Sequence, residues 1–194
     1  MLTREYRWRS ALVEQLRPGA DDVIVDIGCG TGALLTRIGK IAPSARLIGI
    51  DPDPAVLVRA RKRIGEADLS VELHIGFARQ AAELLTEIMP TKITSSLVLH
   101  QVPMEEKKAA LAAMHAALET GGEVHIADYG LQRTRLMRTL FRTVVQNLDG
   151  HENTEPNAQG VLPDLMRKKG FRNVEETDVI GTVSGSISLY RAVR

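Results

Sequence analysis

The hydrophobic positions of this chain fall into two alternating rhythms. Residues 2–16 set Leu2, Tyr6, Leu12, Val13 and Leu16 among charges at roughly helical spacing, and Arg17-Pro18-Gly19 ends that stripe. The apolar run Val23-Ile24-Val25, with Ile27 beyond Asp26, predicts a buried strand, and a helical pattern follows over residues 33–41. The pair then repeats. Strands are expected over 46–50, over 69–75, from Ile93 onward and from Glu123 to Gly130. The helices between them are expected over 54–65, over 79–89 and over 104–119, the last closed by Thr120-Gly121-Gly122. Strand alternating with helix in this way predicts an α/β protein with a parallel, doubly wound sheet and helices on both faces. After Gly130 the rhythm changes. A basic amphipathic helix over 131–148, a polar loop over 149–157 and a helix over 158–169 lead to two strands, 174–180 and 186–192, that fit an antiparallel hairpin.

Composition narrows this picture. A chain of 194 residues is expected to form one domain over 1–194, with residues 1–18 as a lead-in helix and residues 131–170 shaping a substrate site. A net charge of +1 gives no electrostatic reason to expect nucleic acid or an anionic membrane surface as partner, and a small molecule fits better. The single cysteine, Cys29, allows no internal disulfide, and no clustered Cys/His pattern suggests a metal. The N-terminus lacks the apolar region of a signal peptide and no apolar run is long enough to span a membrane, so a cytoplasmic setting is expected.

Candidate chemistry begins where the first strand breaks into glycine, at Val25-Asp26-Ile27-Gly28-Cys29-Gly30-Thr31-Gly32. Glycine tolerates positive φ and has no Cβ, so a nucleotide-like ligand can lie against the backbone at the start of the next helix. About twenty residues on, Asp51-Pro52-Asp53-Pro54 ends the second strand. That spacing suits a carboxylate on ribose hydroxyls, which fits Asp51, while Asp53 before Pro54 fits a helix cap. Gly28-x-Gly30-x-x-Ala33 also satisfies the dinucleotide fingerprint. Charge separates the two readings. A pyrophosphate is disfavoured beside Asp26, whereas S-adenosylmethionine carries an ammonium and a sulfonium that a carboxylate favours.

These stretches, with Ser95-Ser96-Leu97-Val98-Leu99-His100-Gln101-Val102-Pro103 and the Gly121-Gly122 pair, resemble the class I S-adenosylmethionine-dependent methyltransferases. The resemblance is nearest to the bacterial small-molecule branch of the ubiquinone/menaquinone-biosynthesis methyltransferases. It covers most of residues 20–130 and continues more weakly to the end. It implies a Rossmann-like, mostly parallel sheet of seven strands with the last antiparallel. It also implies a donor site on Asp26, Gly28, Cys29, Gly30, Gly32, Asp51, Pro52 and Ser95. Phe77 stands where the family often has an acidic residue, so adenine is expected against Phe77 and Ala78.

Methyl transfer needs alignment and a nucleophile free of its proton, and His100, Asp128, Tyr129 and His151 are the candidates to manage that proton. His74, His115 and His125 read as surface residues, and Tyr6 and Trp8 are candidates to close over a ligand. The implied partner is a small-molecule methyl acceptor, with no nucleic acid and no integral membrane segment; a homodimer is compatible with this reading. The alternatives are an inactive S-adenosylmethionine-binding or regulatory protein and, further off, an NAD-binding protein.

Overall fold

The computed structural model describes residues 5–194; Leu2 and the rest of the first four residues of the expected lead-in helix lie outside the described residues. Strands β1 (Val23–Ile27), β2 (Arg46–Asp51), β3 (Glu72–Ile75), β4 (Lys92–Ser96), β5 (Glu123–Tyr129), β6 (Arg172–Thr182) and β7 (Gly185–Val193) form one sheet in the order β3-β2-β1-β4-β5-β7-β6. β1 to β5 pair in parallel, and β7 runs antiparallel to both β5 and β6. The chain leaves β1 toward β2 and later returns to β4 on β1's other side. Such a switch point opens a crevice at the carboxyl ends of the strands.

Both faces of the sheet are covered. Ile24 packs with Trp8 and Leu12 of α1 (Glu5–Leu16), Leu35 and Ile38 of α2 (Ala33–Ile41), Leu57 of α3 (Pro54–Glu66) and Phe141 of α6 (Arg135–Asp149). Val25 and Ile27 pack on the opposite side, with Leu111 and Met114 of α5 (Met104–Ala117) and Leu162 and Met166 of α8 (Leu162–Lys168). The period-2 alternation of a strand therefore turns Asp26 toward α1 and Ser95 toward α5.

Four expectations need correction. Residues 79–89 form only a single 3-10 turn and the short α4 (Ala81–Leu84), because Leu85 turns into the core and the chain must then reach β4. The third strand begins at Glu72 rather than at residue 69. The polar loop expected over 149–157 is instead α7 (His151–Ala158), held by tertiary bonds: Asn157 Nδ2 donates to the Tyr129 carbonyl (3.1 Å) and Lys107 Nζ to the Asn153 carbonyl (2.9 Å). Gly160, at φ +82°, separates α7 from α8, so no helix runs through 158–169.

Candidate functional site

A cavity of about 450 Å³ opens at the crevice, within the usual range for small-molecule sites. Gly28, Cys29, Gly30 and Thr31 form one wall, Asp51 and Pro52 the end of β2, and Phe77 and Ala78 the far end. Ser96, Leu97, Val98 and Leu99 close it from β4, and Trp8 and Arg9 of α1 cover it.

The glycine turn explains what kind of ligand fits. Its glycine N–H groups and that of Cys29 are already committed: Gly28 and Cys29 donate to the Ile50 carbonyl (2.8 and 3.1 Å) and Gly32 to the Cys29 carbonyl (3.0 Å). The Gly30 N–H donates to Oδ2 of Asp51 (2.9 Å), whose Oδ1 accepts from the Asp53 N–H (3.0 Å). A pyrophosphate is disfavoured here, because the Asp51 carboxylate faces the same cavity and would repel it. The oxygens of Asp51 keep lone pairs for ligand hydroxyls. Asp53 caps α3, accepting from the Ala55 N–H at 2.8 Å, as expected of it, while Asp51 lines the cavity.

Three residues expected at the donor site are not cavity walls. Gly32 instead lets α2 pack on α3; a Cβ there would stand 3.3 Å from the Ala60 Cβ. Ser95 is buried toward α5, and its neighbour Ser96 takes the wall position. Asp26 is buried behind the turn, accepting from Thr94 Oγ1 (2.8 Å) on the paired strand. Burial raises the Asp26 carboxyl to about 7, against the Thr94 bond and the nearby Arg9 charge.

This has a measurable consequence. The unfolded chain ionises Asp26 near its ordinary value while the folded chain resists, so stability falls as pH rises from about 4 to about 7. Asp26→Asn keeps an acceptor for Thr94 and removes that cost. Thermal denaturation is expected to show the wild type losing stability relative to Asp26→Asn between about pH 4 and pH 7, with an upper bound of about 4 kcal/mol. Parallel curves for the two proteins would contradict the burial argument.

A smaller hollow of about 250 Å³ adjoins the cavity and shares Leu97 and Gln101 with it. Two of the four catalytic candidates, His100 and Tyr129, line it, and Asp128 is buried behind His100. His100 is buried in the single 3-10 turn after β4, with Nδ1 2.7 Å from Oδ1 of Asp128. Asp128 also accepts backbone N–H bonds from Leu99 (2.7 Å), His100 (3.3 Å) and Tyr129 (2.7 Å). The Tyr129 ring stands edge-on to His100, and its hydroxyl bonds Ser184 at 2.7 Å. His151 does not join them. It is exposed on α7, 3.5 Å from Glu155, and lines a separate hollow with Arg142.

Sequence patterns missed several participants. Arg9 sits beside Trp8 on the cavity wall, whereas Tyr6 is 73% exposed under Arg37. Lys107 is fully buried and its ammonium binds the carbonyls of Leu99, His100, Val102 and Asn153, tying the loop after β4 to α7. Asp149, at the end of α6, lies 3.4 Å from Nε2 of His100. No local signal reports contacts between residues so far apart in the chain. His125 is wholly buried rather than on the surface, between Gln15 (3.0 Å) and Glu123 (3.1 Å). Among the described residues no three-residue His/Cys/Asp/Glu cluster could hold a metal, and no helix is long and apolar enough to cross a membrane.

Comparison with known proteins agrees with this geometry. The family described as methyltransferase domain matches residues 24–122. The demethylmenaquinone methyltransferase of Lactobacillus johnsonii is 30% identical over 86% of this chain and 75% of its own length. The ubiquinone/menaquinone biosynthesis C-methyltransferase of Syntrophotalea carbinolica is 24% identical over 97% of this chain and 83% of its own. Other relatives are longer: the chain spans 57% of one from Aspergillus luteorubrus. Among solved structures, an O-methyltransferase family protein from Burkholderia thailandensis superposes with a TM-score of 0.76 at 18% identity, over 97% of this chain and 55% of that one. The magnesium protoporphyrin IX methyltransferase of Synechocystis PCC 6803, solved with bound S-adenosylhomocysteine, gives 0.70 at 17% identity, over 97% of this chain and 82% of that one. With the glycine turn, Asp51 and a sheet whose last strand is antiparallel, the chain belongs to the methyltransferase domain family of class I S-adenosylmethionine-dependent methyltransferases.

Proposed function

We propose that this chain binds S-adenosylmethionine in the larger cavity and transfers its methyl group to a small molecule in the hollow beside His100. The observation that carries this reading is the adjacency of the two spaces, which share Leu97 and Gln101 at the end of β4. In-line displacement needs donor and acceptor held side by side, and the shared wall places the two spaces that way.

The bound cofactor would supply a methyl group activated by the sulfonium. The chain's own residues bind and orient it. Asp51 accepts from ribose hydroxyls, and Phe77 and Ala78 pack against adenine. The backbone of Gly28 to Gly30 lies along the methionine portion, and the Arg9 guanidinium, paired with Glu5 at 2.6 Å, reaches its carboxylate from the cavity wall. Asp26 takes no direct contact in this arrangement and acts through the electrostatics of the turn behind which it is buried.

The test is transfer of labelled methyl from S-adenosylmethionine across a panel of small carboxylates, phenols, amines and thiols. Incorporation into at least one acceptor class is expected. Binding of the donor with no transfer to any of them would favour a regulatory protein, and no donor binding would remove the proposal.

A further inference from the structure

Resting on the reading of the hollow as the acceptor site, we infer that the acceptor presents an anionic oxygen to Nε2 of His100, in the place now held by the Asp149 carboxylate. A neutral imidazole donates from one ring nitrogen only. Here both nitrogens face carboxylates, Nδ1 at 2.7 Å from Asp128 and Nε2 at 3.4 Å from Asp149. Only the imidazolium satisfies both.

The remaining groups around the ring agree. Burial by itself would lower the pKa of His100, but Asp128 and then Asp149 outweigh it and lift the value to about 9. The Tyr129 ring packs edge-on at 4.9 Å, and burial raises the pKa of its hydroxyl, keeping it neutral. Lys107 of α5 binds the His100 carbonyl rather than the ring. His100 is therefore a fixed cation at the base of the hollow, and it does not serve as the proton acceptor that its position after β4 suggested.

The two carboxylates are unequal. Asp128 is buried and held by three backbone N–H groups. Asp149 ends α6 at the rim, its side chain 29% exposed, and its contact is longer than the roughly 2.7–2.9 Å of a strong charge-assisted bond. One is permanent and the other exchangeable. The rest of the lining is chiefly apolar, Leu97, Val144, Val145 and Leu148 beside Gln101 and Ser184, so the occupant that fits is a largely apolar body with one anionic oxygen, a carboxylate or an ionised hydroxyl.

Benzoate, 4-nitrophenolate and neutral benzamide serve as probes, titrated into protein saturated with S-adenosylhomocysteine. Asp149→Asn removes the internal competitor and is expected to tighten binding of at least one anion about tenfold, with benzamide unchanged. His100→Gln is expected to weaken the same anion by about tenfold or more. Which anion responds separates carboxylate from ionised-hydroxyl acceptors. Imidazole NMR of the wild type gives a readout independent of any variant's folding, and expects a protonated ring at neutral pH. The inference is overturned if the ring is neutral there, if benzamide responds as the anions do, or if neither anion binds Asp149→Asn. Failure of the wild type to take up S-adenosylhomocysteine would instead strike the donor reading.

Discussion

Replacing Asp51 by alanine is expected to weaken S-adenosylhomocysteine binding by roughly two orders of magnitude or more, measured by calorimetry. The carboxylate does two jobs at once. Its Oδ2 holds the Gly30 N–H and its Oδ1 the Asp53 N–H, while it also faces the cavity. Hydrogen bonds to a charged group are worth about 1.5–3 kcal/mol each, and the ligand's hydroxyls add to the two internal ones. Asparagine should recover little. It offers one acceptor oxygen where two backbone donors need one each, and its amide would face the second donor. An Asp51→Ala protein that binds as tightly as wild type would show that β2 does not end in the donor site.

The second large effect separates two glycines of the same turn. Gly28 has φ +73°, and an added Cβ would fall 2.1 Å from Cγ2 of Val98. The Val98 side chain must rotate or shift to admit that Cβ, and the positive φ strains an alanine there in any case. Strain and overpacking together cost about 2–4 kcal/mol, and Gly28→Ala is expected to melt roughly 10 °C below wild type. Gly30 also has positive φ, yet nothing stands within 4 Å of its Cβ position. Gly30→Ala is therefore expected to keep most of its stability and to lose about tenfold or more in cofactor affinity, because the methyl enters ligand space. Equal melting losses for both variants would contradict this assignment of roles.

The contrast also shows what the sequence could and could not reveal. A strand that breaks into alternate glycines, and an acid ending the next strand, are local signals, and both survive into the structure as cavity walls. Whether Ser95 or Ser96 faces the ligand depends on the parity of β4 relative to the core. The pattern Thr94-Ser95-Ser96 carries too little hydrophobic contrast to set that parity. Gly32 fits the ligand fingerprint as well as Gly28 does, and only the approach of Ala60 on α3 assigns it to helix packing.

The helical segment after β5 was the least legible. His151 to Ala158 contains Pro156 and several helix-indifferent polar residues, and it is helical because Asn157 and Lys107 bond it to distant backbone. Local propensity yields there to tertiary contacts. For the same reason Asp149, placed by pattern in a polar loop, emerges at His100 only once α6 is folded over the sheet.

The most direct test of the central claim is a calorimetric titration of the intact chain with S-adenosylmethionine and, separately, with NAD. Saturable, equimolar binding of S-adenosylmethionine that S-adenosylhomocysteine displaces, with no uptake of NAD, is the predicted result. Absence of S-adenosylmethionine binding, or NAD binding in its place, would contradict it.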